Sequence, residues 1–203
     1  MSCPADRRDI VLTVSKEPRH ASRYLTRVRR PVLTEFTPRA GRCCLRSGPG
    51  EGNAVEKFKV AVVAGESSGK ELDFVTERKD KPTIFVFVLA DRFSRPMARF
   101  IKVLDDKLKA DRTDVDIVAV WLTDDAAKSK DYLPKAFGSL KTERTAWSVF
   151  PGEKTGPNNW GINPDADITV VVSDGAKAKF SKGYLSINET EVPKVFEALP
   201  PKK

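Results

Sequence analysis

The chain has 203 residues, 40% apolar and 8% aromatic, with 36 Lys+Arg against 28 Asp+Glu for a net charge of +8. That suffices for one core with an extension and is too little for two full domains. No run approaches the ~20 apolar residues of a membrane-crossing helix; the densest is Ile84-Phe85-Val86-Phe87-Val88-Leu89-Ala90, and a mean hydropathy of −0.39 leads us to expect a soluble protein.

In chain order, the first feature is an arm. Residues 1–54 hold eleven Lys+Arg against five Asp+Glu, and ten of those cations are Arg, whereas Lys outnumbers Arg 19 to 6 from residue 55 onward. The change coincides with Ser47-Gly48-Pro49-Gly50-Glu51-Gly52-Asn53, a stretch of turn-forming residues without side chains suited to a core. We therefore expect an Arg-rich arm over 1–54, disordered or weakly structured, and a folded domain over 55–203. Nucleic acid, if bound at all, would be bound by the arm through phosphate contacts. The arm lacks the apolar core of a secretory signal, so the expectation for localisation stays open, with the cytoplasm favoured.

Sulfur and imidazole are confined to the same arm. Cys3, Cys43, Cys44 and the single histidine, His20, all precede residue 55. The domain can hold neither a disulfide of its own nor a Ser-His-Asp centre, and no Cys-x-x-Cys spacing or nearby histidine suggests zinc. No metal and no cofactor is expected.

The domain alternates strands and helices. Phe58 to Val63 reads as a strand, Gly65 to Lys70 as a turn, and Glu71 to Val75 as a second extended piece. Thr83 to Ala90 has the continuous apolar character of a central strand covered on both faces. A helix follows, with Ser94 placed to cap it, Pro96 in its first turn, and Met97, Phe100, Ile101, Leu104 and Leu108 on one stripe. Asp114 to Leu122 reads as another buried strand. Next comes a helix with Tyr132, Leu133 and Phe137 that Pro134 should bend or shorten, and then a long Pro/Gly/Asn loop over 151–167. Thr169 to Ser173, Asp174-Gly175 and Ala176 to Phe180 make a hairpin, and a last helix runs from about Thr190 to Leu199. Helices between strands imply parallel pairs, so a mixed central sheet flanked by helices is expected.

Four local patterns give this α/β arrangement a family likeness: Gly69-Lys70-Glu71-Leu72, the strand end Leu89-Ala90-Asp91, the helix opening Phe93-Ser94-Arg95-Pro96-Met97, and Trp160-Gly161-Ile162 ahead of the hairpin. On these, residues 55–199 resemble the thioredoxin-like fold, in particular its redoxin and peroxiredoxin-type branch. The resemblance implies that Ser94 and Met97 stand where that family carries its two active-site cysteines, and that Ile168 stands where a cis-proline precedes Thr169.

The substitutions bear directly on chemistry. Disulfide exchange needs a thiolate as nucleophile and leaving group, which neither a serine hydroxyl nor a thioether supplies. The former active site, Ser94, Arg95, Pro96 and Met97, is thus expected to be redox-inactive, with Arg92, Ser94, Arg95 and Arg99 as candidate anion-binding groups at an open helix end. The bland alternative has Arg99 paired with Asp105 or Asp106. Trp121, Trp147 and Trp160 are expected in the core or in a groove wall; Trp160, Ile168 and Thr169 are candidate groove residues, and Trp147 with Trp160 could form an aromatic platform for a peptide. Asp124-Asp125 follows a strand end, where ligand sites of α/β sheets lie. The expected function is a non-enzymatic module that binds a protein, peptide or ligand. The alternative is a thiol-dependent oxidoreductase or peroxidase that uses Cys43 or Cys44 of the arm.

Overall fold

A computed structural model of the chain describes residues 44–78 and 81–202. Cys3, His20, Cys43 and the expected disorder of the arm's first part lie outside the described residues. The sheet has eight strands: β1 (Cys44–Leu45), β2 (Val60–Ala64), β3 (Glu71–Leu72), β4 (Pro82–Leu89), β5 (Asp116–Leu122), β6 (Thr145–Val149), β7 (Ile168–Asp174) and β8 (Lys177–Tyr184). Its order is β1-β8-β7-β4-β5-β6-β2-β3. The helices are α1 (Phe74–Glu77), α2 (Arg95–Asp111), α3 (Ala126–Leu140) and α4 (Val192–Glu197).

β4 is central because every one of its residues can be buried. It pairs in parallel with β5 and antiparallel with β7, and no position of it reaches solvent. Its alternation feeds two cores. Ile84, Val86 and Val88 face the stripe Met97, Phe100, Ile101, Leu104 and Leu108 of α2, joined by Leu133 of α3 and Val195 of α4. The crossovers β4-α2-β5 and β5-α3-β6 step the same way across the sheet, so a common hand puts both helices on one face. Phe85 and Phe87 face the other way, where Trp160 meets them and Phe58 with ring centroids 4.9–5.1 Å apart.

Several expectations need correction. The upstream stretch is part of the fold. Cys44 pairs with Tyr184 and Ala54 with Lys177, while Gly52 N donates to Ala178 O at 2.7 Å and Val55 N to Ala176 O at 2.7 Å. Ser47, expected in a linker, is 2% exposed. A boundary after residue 54 cuts through these bonds. The attachment is made by backbone groups along the edge of β8, which turn-forming residues permit as well as any, and by side-chain bonds at Ser47, whose O accepts from Ser181 Oγ at 2.7 Å. The second extended piece is only the short β3, after which Asp73 accepts from Val75 N and Thr76 N and starts α1 instead. The sequence pattern predicts no strand over 145–149, yet β6 lies there and pairs with both β5 and β2. Of the two effects expected of Pro134, shortening does not occur: α3 runs on to Leu140. The hairpin turns at Gly175, whose φ of 58° suits a residue without Cβ.

Candidate functional site

The parallel strands β4 and β5 both end beside the amino ends of helices. After Leu89 the chain makes a short turn, Ala90–Arg92, passes Phe93 and Ser94, and enters α2. Ser94 occupies the cap position with extended backbone, yet its hydroxyl accepts no bond from the first turn. Met97 lies on the buried stripe and is 1% exposed, so its sulfur packs in the core. Pro96 stands in the first turn as expected.

The four anion-binding candidates do not converge. Arg92 Nη1 donates to Asp167 Oδ1 at 2.7 Å and to Asp165 O at 3.5 Å; the bond to Asp167 holds its guanidinium above the usual range. Arg99 reaches Glu189 Oε1 at 3.5 Å, neither Asp105 nor Asp106. Asp106 accepts from Lys102 Nζ at 2.6 Å. Asp105 is buried and accepts from Glu143 N, Arg144 N and Thr145 Oγ1 at 2.7–3.0 Å, which ties α2 to the start of β6. Of the three candidate arginines, Arg95 is exposed and has no ion pair among the described residues.

The candidate groove residues are sealed. Ile168, Thr169 and Trp160 are each 0–1% exposed. Thr169 Oγ1 lies 2.7 Å from Ser47 Oγ, which also accepts from Asn163 N at 2.9 Å. Trp160 packs on the face away from the helices and donates Nε1 to Glu56 O at 2.9 Å. Trp147 is equally buried and donates to Thr142 Oγ1. The aromatic platform that these two tryptophans suggested does not exist at the surface. Asn188 caps the turn before α4 by accepting from Thr190 N.

An accessible cleft lies on the opposite flank of β4. A depression of about 390 Å³ opens between the carboxyl ends of β4 and β5, walled by Phe93, Trp121 and Tyr132, with Asp91, Asp124 and Asp125 at its rim. Phe93 and Tyr132 also border a second depression of about 250 Å³ that contains Ser94, Arg95 and Ser139. Together they form a cleft across the gap between α2 and α3. Sequence reasoning did not single out Phe93 or Tyr132 as site residues; Tyr132, expected within the helix, is 48% exposed. The one signal that pointed here was Asp124-Asp125 at a strand end. Among the described residues no cluster of three or more metal-ligating side chains occurs, and no helix is long and apolar enough to cross a membrane.

No family model matches the sequence, and no curated protein matches it. Solved structures do. A DsbF homologue from Corynebacterium diphtheriae superposes with a TM-score of 0.55 at 15% identity over 81% of this chain and 98% of that one. A peroxiredoxin-like protein from Aquifex aeolicus gives 0.52 at 13% identity over 77% and 91%. A thioredoxin-like protein from Aeropyrum pernix gives 0.51 at 12% identity over 70% and 89%. With β4 leading into α2, and a β7-β8 hairpin leading into α4, these likenesses establish that the fold is thioredoxin-like.

Proposed function

We propose that this protein is a binding module built on the thioredoxin-like fold, that it carries out no disulfide exchange, and that the cleft between α2 and α3 takes a segment of a protein partner. The observation that carries the reading is the amino end of α2. It presents a serine hydroxyl at position 94 and turns the thioether of Met97 into the core, so neither the attacking nor the resolving thiolate has a counterpart. The cleft offers aromatic walls with a polar rim, the composition that favours binding of an extended segment.

The oxidoreductase alternative requires an arm cysteine to reach α2. Cys44 pairs with Tyr184, Tyr184 with Ile168, and Ile168 with Val88. Three strand spacings therefore separate Cys44 from β4, about 14 Å across the sheet, which weighs against its delivery to that helix end. Insulin reduction and peroxide consumption by the full chain test the chemistry. No turnover is expected, and turnover that disappears in Cys43→Ser or Cys44→Ser would overturn the reading. Affinity capture with the full chain tests the site: a partner retained by the native protein and lost with Tyr132→Ala is the expected result.

A further inference from the structure

One exposed cation bridges two carboxylates that line the cleft. Lys154, from the loop after β6, places Nζ 2.5 Å from Asp124 Oδ2 and 3.1 Å from Asp91 Oδ2. The two carboxylates belong to different strand-end turns, one after β4 and one after β5, and they stand close enough to share a single ammonium at the mouth of the depression. Resting on the cleft as the binding site, we infer that its ligand is a basic side chain of the partner, and that Lys154 occupies the carboxylate pair until that side chain displaces it.

The surroundings suit a cation that carries an apolar stem. Phe93 and Trp121 meet at 4.7 Å between centroids and Trp121 and Tyr132 at 6.3 Å, and aromatic faces attract ammonium and guanidinium groups. Three carboxylates, those of Asp91, Asp124 and Asp125, line the depression against one lysine, Lys128. The amino ends of α2 and α3 favour the opposite charge, but a helix end amounts to about half a unit charge. Asp125 already answers that of α3 by accepting from Lys128 N at 3.0 Å. With Lys154 displaced, the three carboxylates exceed Lys128 and the two half charges of the helix ends by about one unit, which favours a cation in this depression, while Arg95 lines the neighbouring one.

Two further features favour exchange. Lys154, Asp91 and Asp124 have side chains 40%, 72% and 64% exposed, and exposed ion pairs contribute little to stability, so displacing Lys154 sacrifices little. Ser129 also lines the depression, and its hydroxyl makes no hydrogen bond among the described residues. The hydroxyl of Ser129 is available to a ligand.

The test titrates the full chain with benzylamine and with benzyl alcohol, its neutral counterpart, and follows the indole and amide resonances of Trp121 and Ser129 by NMR. Benzylamine is expected to bind about threefold to tenfold more tightly than the alcohol. Lys154→Met should tighten benzylamine further by removing the internal competitor, and Asp124→Asn should weaken it. Equal binding of the two probes, or no gain with Lys154→Met, overturns the basic ligand while leaving the cleft as a site. Failure of both probes to move these resonances overturns the cleft as well.

Discussion

The two flanks of β4 finish differently, although both are bridged by a cation on a carboxylate. Toward β7 the sheet stays closed to its last residue: Leu89 N donates to Asp167 O at 3.1 Å, Ile168 pairs with Val88, and Arg92 crosses to Asp167. Toward β5 the strands run into the turns that start α2 and α3, a depression opens, and Lys154 spans its mouth. The difference follows from connectivity. An antiparallel hairpin supplies backbone partners along the whole edge of its neighbour, whereas two βαβ crossovers lead both chains away from the sheet at the same end, where α/β ligand sites form. The flank that the family resemblance marked as a groove is the sealed one.

Truncating an aromatic on each side gives the largest contrast. Trp160 touches Phe58, Phe85 and Phe87 and is 1% exposed, so Trp160→Ala should cost about 4 kcal/mol. Tyr132→Ala, on the open flank, should stay within about 1 kcal/mol. Urea denaturation of both variants measures the pair, and comparable losses would erase the distinction between packed and accessible flanks. A smaller effect is expected at Ser47. Its hydroxyl serves Thr169 Oγ1 and Asn163 N in a buried site, and Ser47→Ala leaves both short of a partner for about 1–2 kcal/mol. A neutral result in the same denaturation experiment would mean that this hydroxyl adds nothing to the backbone pairing that attaches residues 44–54.

What the sequence made legible was whatever its local period encodes. The continuous run of β4 and the stripe from Met97 to Leu108 follow directly from apolar spacing, and the absence of thiol at positions 94 and 97 is read by inspection. Ser47 to Asn53 escaped because backbone-to-backbone pairing with β8 leaves no trace in side-chain pattern, and turn-rich residues look alike in a linker and along a sheet edge. Five residues of β6 follow a helix end without a Gly or Pro to separate them, so no punctuation marked the strand. Trp160 reads as a core or groove-wall residue, but its setting in a loop rich in Pro, Gly and Asn does not tell that the loop folds back beneath the sheet. The cleft was the least legible feature, since Phe93, Trp121 and Tyr132 come from three different elements and only the crossovers bring them together.

The smallest expected effect separates the two bridges by pH. Hydrogen bonds to Asp124 and then Asp91 raise the pKa of Lys154 above that of a free lysine. Because the folded value is raised, the bridge's contribution is complete below the ordinary lysine pKa and is lost as pH climbs through the raised one. Arg92 is likewise raised by its bond to Asp167, but a guanidinium does not deprotonate in the accessible range. Alkali should therefore release the open flank and leave the sealed one tied. Side-chain carboxyl carbon shifts report this directly: those of Asp91 and Asp124 should move together at a pH above ~10.4, the ordinary lysine value, while that of Asp167 stays level. A transition of Asp124 at or below that value would mean that Lys154 does not hold it in solution. The mouth of the cleft would then be open at rest, and Lys154→Met would lose its effect on benzylamine binding.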